Sequence, residues 1–251
     1  MLSNKTFIVL GSCGLIGKSV ITSILENNGN VIAIDKNKNL NNDLLKSFDK
    51  FKNNIEILTL DIKNEAELKK VLLQTNNLDG LVNCTYLKNK NYGTEFLKVS
   101  INEFNDNINL GLGSFFLVAQ LCVKRFKKYK KPFNLVNIGS IYGVISPKFR
   151  IYKNTNMVPP VEYSAIKSAL IHLTKYIAKY VNNSKFRCNC VSPGGIDDKQ
   201  PKVFKHRYRK NTFGKGLMDP KDTSNLITFL LSDKSRSING QNIIIDDGFT
   251  L

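Results

Sequence analysis

A chain of 251 residues can bury one sizeable core or two small ones, and 42% hydrophobic content without a low-complexity run excludes a disordered or fibrous chain. The net charge of +17 raises nucleic-acid binding as a function. The Lys residues, however, are dispersed along the whole chain beside a comparable excess of Asn, and a compositional bias accounts for that better.

No stretch approaches a membrane span in length, and Met1 to Lys5 run into Thr6-Phe7-Ile8-Val9-Leu10 without a signal-peptide pattern, so a cytoplasmic protein is expected. Five cysteines (Cys13, Cys84, Cys122, Cys188, Cys190) suit reduced, buried thiols. Cys188-Asn189-Cys190 lacks the two-residue spacer of zinc and redox sites, and no metal is expected.

In chain order, apolar runs of strand length alternate with amphipathic runs of helix length, the pattern of a parallel sheet with crossover helices. Strands are predicted over 6–10, 31–34, 55–60, 80–84, 133–138, 186–191 and 242–245. Helices are predicted over 17–28, 40–51, 65–74, about 101–107, 113–128, 163–181 and 222–231. No linker divides the chain, so residues 1–251 read as one α/β domain, a doubly wound parallel sheet of about seven strands with helices on both faces.

The first turn is Gly11-Ser12-Cys13-Gly14-Leu15-Ile16-Gly17. Glycines after a strand let the backbone turn tightly and approach a pyrophosphate, which sits on the amides at the helix N-terminus, as in a Rossmann-type fold. Asp35 ends the second predicted strand, where an acidic side chain can bond the adenosine ribose and repel a 2′-phosphate. This favours NAD over NADP, while Lys36 and Lys38 keep NADP open. Tyr163 and Lys167 lie one turn apart on one helix face. A cation there favours the phenolate, so Tyr163 is expected to exchange protons nearer neutral pH, as an acid/base catalyst on a carbonyl or alcohol requires.

Further motifs fall in order: Leu60-Asp61-Ile62, Leu81-Val82-Asn83, Asn137-Ile138-Gly139-Ser140, Tyr163-Ser164-Ala165-Ile166-Lys167, Ser192-Pro193-Gly194-Gly195-Ile196 and Asn239 to Gly248. With the glycine turn they resemble the short-chain dehydrogenase/reductase family essentially end to end. The resemblance implies hydride transfer between nicotinamide and a secondary alcohol or ketone, with Tyr163 as general acid/base. Lys167 would lower its pKa and hold the nicotinamide ribose, and Ser140 would bond the substrate oxygen. Asn109 would link Lys167 to solvent, with Asn107 an alternative because the glycines that follow are unusually spaced. The cofactor would contact residues 11–17, Asp35, Asp61, Ile62, Asn83, Cys84, Tyr163, Lys167, Pro193, Gly194 and Ile196. A homodimer or homotetramer is implied, with helices at 101–128 and 163–181 at the interface.

Three departures bear on substrate. Cys84-Thr85 follows Asn83 in place of the family's Ala-Gly, and the three-residue glycine spacing is that of the sugar-nucleotide branch. An inserted run at 146–160 precedes Tyr163 and, with its Phe149-Arg150-Ile151-Tyr152 and Pro159-Pro160, resembles oxidoreductases of bacterial surface-polysaccharide and flagellin-glycosylation clusters. It and the Lys/Arg-rich loop at 197–218 are expected to cover the substrate. Ser140, Tyr142, Arg150, Arg207 and Arg209 are the candidate substrate contacts, the arginines for a sugar phosphate or nucleotide sugar, against the plainer reading of solvated charge. A 3-oxoacyl-thioester reductase and a non-catalytic dinucleotide-binding scaffold remain the alternatives; neither nucleic acid nor membrane is an expected partner.

Overall fold

The computed structural model describes all 251 residues. Its first half runs β1 (Thr6–Leu10), α1 (Leu15–Glu26), β2 (Asn30–Asp35), α2 (Lys38–Ser47), β3 (Ile55–Thr59), α3 (Glu65–Gln74) and β4 (Gly80–Asn83). Then come α4 (Ile101–Ile108), α5 (Ser114–Tyr129), β5 (Phe133–Ile138), α6 (Val161–Val181), β6 (Phe186–Pro193), α7 (Lys202–Arg209), α8 (Pro220–Leu231) and β7 (Asn242–Ile245). All seven strands are parallel, in the order β3-β2-β1-β4-β5-β6-β7.

Central parallel strands are covered on both faces, which is why they read as unbroken apolar runs. Alternate residues serve opposite cores. Ile8, Leu10, Leu81 and Leu135 pack beneath Leu68 and Leu72 of α3, Val118 to Phe126 of α5 and Ile177 of α6. Phe7, Val9, Val82 and Val136 pack beneath Val20, Ile21 and Ile24 of α1, Leu44 of α2 and Ile227 of α8. Each such side chain contributes roughly 1.5–3 kcal/mol by leaving water. The strand order turns back between β1 and β4, so their carboxyl ends diverge and open a crevice there.

Helix starts depart from the predicted bounds for local reasons. The α2 helix begins early because Asn37 caps it, accepting the Leu40 N–H at 3.1 Å, and it stops at Ser47 before a separate 3₁₀ turn over Asp49–Phe51. The two helices predicted over 101–107 and 113–128 are one continuous run, joined by a π-helical turn at Asn109–Gly113. That run, Ile101–Tyr129, is long and apolar enough to cross a membrane by length and composition, against the expectation that none would be. Its apolar face is accounted for by the sheet: Phe115, Val118, Leu121, Cys122 and Phe126 are buried, and buried Arg125 donates to the Leu72 carbonyl at 2.8 Å. All five cysteines are free, Cys122, Cys188 and Cys190 buried and Cys13 and Cys84 half-buried.

Candidate active site

The glycine turn closes because it lacks side chains. Gly11 sits at φ +71°, and a Cβ there would lie 2.9 Å from the Cys84 carbonyl. A Cβ on Gly17 would come within 2.2 Å of the Gly11 oxygen, whereas one on Gly14 would meet nothing nearer than 3.5 Å. Gly14 is therefore the open side of the turn. It is also the N-cap of α1, and no side chain caps that helix, so its first amides are available to an anion. Gly17→Ala is expected to weaken dinucleotide affinity about tenfold or more by forcing the turn apart. Fluorescence titration with NADH checks this; unchanged affinity would show that the turn yields without cost.

At the end of β2, Asp35 Oδ2 accepts the Cys13 N–H and Oδ1 the Asn37 N–H, both at 3.2 Å. Buried Asn41 braces this corner, donating to the Asp35 carbonyl at 3.1 Å and to Thr59 Oγ1 at 2.9 Å. Gly11, Gly14, Asp35, Asp61, Ile62, Cys84, Thr85 and Tyr86 line one groove. It continues into a cleft of about 530 Å³ lined by Gly14, Leu15, Ile16, Gly17, Cys84, Ser140, Tyr163, Lys167, Pro193, Gly194 and Ile196. Ser12, Cys13 and Asn83 line neither; Asn83 is buried, its Oδ1 accepting from Thr85 N and Oγ1, and the Ser12 hydroxyl is buried without a partner. An anion-ready helix end, an acidic residue at the end of β2 and a groove between them fit a dinucleotide.

At the reacting end, Lys167 is 4% exposed and its Nζ donates to the Ile138 carbonyl at 2.6 Å. It lies 5.6 Å from the Tyr163 ring centroid and 5.1 Å from that of Phe115. Burial pushes its pKa down to about 8, with Cys190 and Cys84 pulling the other way. Burial also pushes the Tyr163 phenol up from its ordinary value, while a hydrogen bond with Ser140 works against it. The expectation that the Lys167 cation brings Tyr163 proton exchange nearer neutral pH is thus corrected for the free protein. Desolvation of the phenolate is the dominant effect on Tyr163, while the Lys167 ammonium donates to the Ile138 carbonyl. Ser140 Oγ in turn accepts the Tyr142 N–H at 3.1 Å.

The substrate end is aromatic. Tyr142, Tyr152, Met157, Phe204, Tyr208 and Leu217 line the cleft with Asp198 and Gln200, and Lys167 is its one cation. The insertion folds Phe149–Tyr152 into a 3₁₀ turn that brings the Tyr152 hydroxyl to the Tyr142 hydroxyl at 2.7 Å. Within the 197–218 loop lies the unforeseen helix α7, whose Phe204 and Tyr208, four residues apart, face inward. Tyr208 accepts the Gly195 N–H at 2.7 Å and stacks on Phe249 at 4.4 Å.

The structure does not bring the three candidate arginines to this cleft. Arg150 is exposed, Arg207 donates to the Lys153 carbonyl, and Arg209 donates to the Gly214 carbonyl at 2.7 Å. Positions 207 and 209 lie off the α7 face that Phe204 and Tyr208 present to the cleft. Two lysines of the loop are paired instead, Lys205 with Asp197 and Lys215 with Asp222. Neither candidate asparagine lines the cleft or the groove. Asn109 is exposed and opens the π-turn, whereas Asn107 is fully buried and hydrogen-bonded on both sides of its amide. Tyr86, Tyr152, Met157, Phe204 and Tyr208 are cleft residues that sequence reasoning missed; the Phe204/Tyr208 spacing was the one available signal.

A family profile described as enoyl-(acyl carrier protein) reductase matches residues 14–250. The chain is 38% identical over 257 aligned residues to post-translational flagellin modification protein A of Campylobacter coli, covering 100% of both. The chain belongs to the short-chain dehydrogenase/reductase family. It is also similar to a short-chain dehydrogenase of Leptospira borgpetersenii solved with bound NAD+, at 32% identity and a TM-score of 0.87, covering 100% of this chain and 94% of that one. A 3-oxoacyl-[acyl-carrier-protein] reductase of Thermotoga maritima is 27% identical over 100% of this chain and 99% of its own. As a short-chain dehydrogenase/reductase the protein is an oxidoreductase that uses a nicotinamide dinucleotide.

Proposed function

We propose that this enzyme uses NAD to interconvert a secondary alcohol and a ketone on a sugar derivative that serves the modification of surface structures. The observation that carries the reading is the convergence of Ser140, Tyr163 and Lys167 in one cleft continuous with the dinucleotide groove. The bound nicotinamide would supply the two-electron chemistry. Tyr163, kept protonated by burial, would deliver its phenolic proton to the oxygen of a ketone as that oxygen gains charge, and would take it back in the reverse direction. Ser140 would hold the same oxygen by a hydrogen bond. Lys167 would hold the ribose and replace the Tyr163 proton.

The sugar assignment is supported by the relative that modifies flagellin and by the cleft itself. Aromatic faces at Tyr142, Tyr152 and Phe204 suit the C–H face of a sugar ring, and the two tyrosine hydroxyls suit its hydroxyls. The cleft itself offers no arginine to a phosphate carried by that sugar. The preference for NAD rests on Asp35; Asp35→Ser is expected to shift the NAD to NADP affinity ratio about tenfold toward NADP, since a lost repulsion of ~1.4 kcal/mol is a factor of ten. Titration with both cofactors checks it. The second reading, reduction of a 3-oxoacyl thioester, draws on the Thermotoga relative at 27% identity. A thermal-shift and turnover panel of sugar phosphates, nucleotide sugars and acetoacetyl thioester with each cofactor separates the two. Stabilisation and turnover by the thioester with NADPH would overturn the sugar reading. Apolar side chains exposed along the helices, among them Ile101, Phe116, Tyr176 and Tyr180, support a homodimer or homotetramer built on α4, α5 and α6.

A further inference from the structure

One buried polar cluster lies beside the cleft and takes no part in the chemistry above. Glu162, immediately before Tyr163, is fully buried in the first turn of α6. Its Oε1 accepts the Asn107 Nδ2–H at 3.2 Å, and its Oε2 has no partner in the protein. Asn107 is equally buried, and its Oδ1 accepts the Asn89 N–H at 3.0 Å. The end of α4, the segment after β4 and the start of α6 therefore meet at two hydrogen bonds.

The same segment carries Tyr86, whose ring meets the Tyr163 ring edge to face at 5.6 Å and the Tyr92 ring likewise at 5.6 Å. Lys88 lies over both of these rings, 5.3 Å from the Tyr86 centroid and 5.8 Å from that of Tyr92. One side of the Tyr163 ring is thus walled by a segment that is tied back to α6 through Asn107 and Glu162. A buried carboxyl with one hydrogen bond costs stability, and an apolar side chain of similar volume would pack there more cheaply. Its geometry is what the position gains.

We propose that Glu162 is a positioning residue: by holding Asn107 it clamps residues 85–92 against the first turn of α6 and fixes the Tyr163 ring for proton transfer. The proposal rests on the reading of Tyr163 as acid/base, yet the clamp is testable without turnover. In the NADH-saturated enzyme at slightly alkaline pH, Glu162→Leu leaves the Asn107 amide unpaired, and Asn107→Asp sets two carboxyls face to face. The double variant Glu162→Gln/Asn107→Asp restores an amide–carboxyl pair with the donor reversed, and the carboxyl at 107 still accepts from Asn89.

Hydrogen exchange of residues 85–92 and 161–167 is expected to rise about tenfold in each single variant, the loss of roughly one hydrogen bond, and to return toward wild type in the double variant. The Tyr163 Cζ resonance in ¹³C-tyrosine-labelled protein, assigned by its loss in Tyr163→Phe, is expected to move in the single variants and return in the double. Should a single variant fail to accumulate, recovery of folded protein by the double variant reads as rescue. Unchanged exchange, an unmoved Tyr163 resonance or a double variant no better than the singles would overturn the clamp. A Tyr163→Phe enzyme as active as wild type would instead overturn the reading on which it rests.

Discussion

Tyr163→Phe is expected to lower kcat by about 10²–10⁴-fold, the contribution of a positioned proton donor, while the affinity for NADH stays nearly unchanged. Phenylalanine keeps the ring that packs against Tyr86 and lies beneath the Lys167 ammonium, so only the hydroxyl is lost. That hydroxyl is held beside Ser140 in a buried setting that keeps it protonated well above neutral pH, the form that gives a proton to a developing alkoxide. Steady-state kinetics and a fluorescence titration on the same preparation check both halves. A parallel fall in NADH affinity would assign the residue to cofactor binding instead.

Lys167→Met is expected to remove a pH-dependent part of the stability. The Lys167 ammonium titrates at about 8 in the folded chain, below its ordinary 10.5. Between these values the unfolded chain binds the proton that the folded chain has lost, so this residue makes folding more favourable as pH rises through the window. Its contribution to the difference between wild type and variant reaches roughly 3 kcal/mol across the window, at 1.36 kcal/mol per unit. The thiols of Cys84, Cys122, Cys188 and Cys190 are pushed up and act in the opposite sense. Lys167 holds Cys84 and Cys190 down, but at about 12 and about 11 both stay protonated across the window and its loss only raises them, so the difference cancels all four. The lost hydrogen bond to Ile138 adds an offset that does not vary with pH. Denaturant unfolding at several pH values between about 8 and about 10 reads the slope; parallel curves for the two proteins would contradict the assignment.

How far the sequence reaches differs from element to element. The strands were legible because central parallel strands must be apolar on both faces, and Phe7 to Leu10 or Leu81 to Val82 can be little else. Tyr163 and Lys167 were legible because helical spacing puts them on one face. Their electrostatics were not, since adjacency reveals the neighbour but not the desolvation or the competing Ile138 carbonyl. The choice between Asn109 and Asn107 was obscured by the π-turn at Asn109–Gly113, which adds a residue to one helical turn and unsettles the spacing to the following glycines. The arginines of 197–218 drew attention as charge, while helix phase decided that Phe204 and Tyr208 would face the cleft. Tyr152 and Met157 sit in an insertion whose fold depends on contacts distant in sequence, with Phe204 among them at 5.1 Å from Tyr152. No local pattern encodes such a placement.

The most direct test follows reduced nicotinamide when wild type and Tyr163→Phe are given NAD and a panel of sugars, sugar phosphates and nucleotide sugars. Wild type should reduce NAD with at least one sugar derivative and the variant with none, at equal cofactor saturation. A variant that reduces NAD as fast as wild type, or a wild type active only with a 3-oxoacyl thioester and NADPH, would contradict the account.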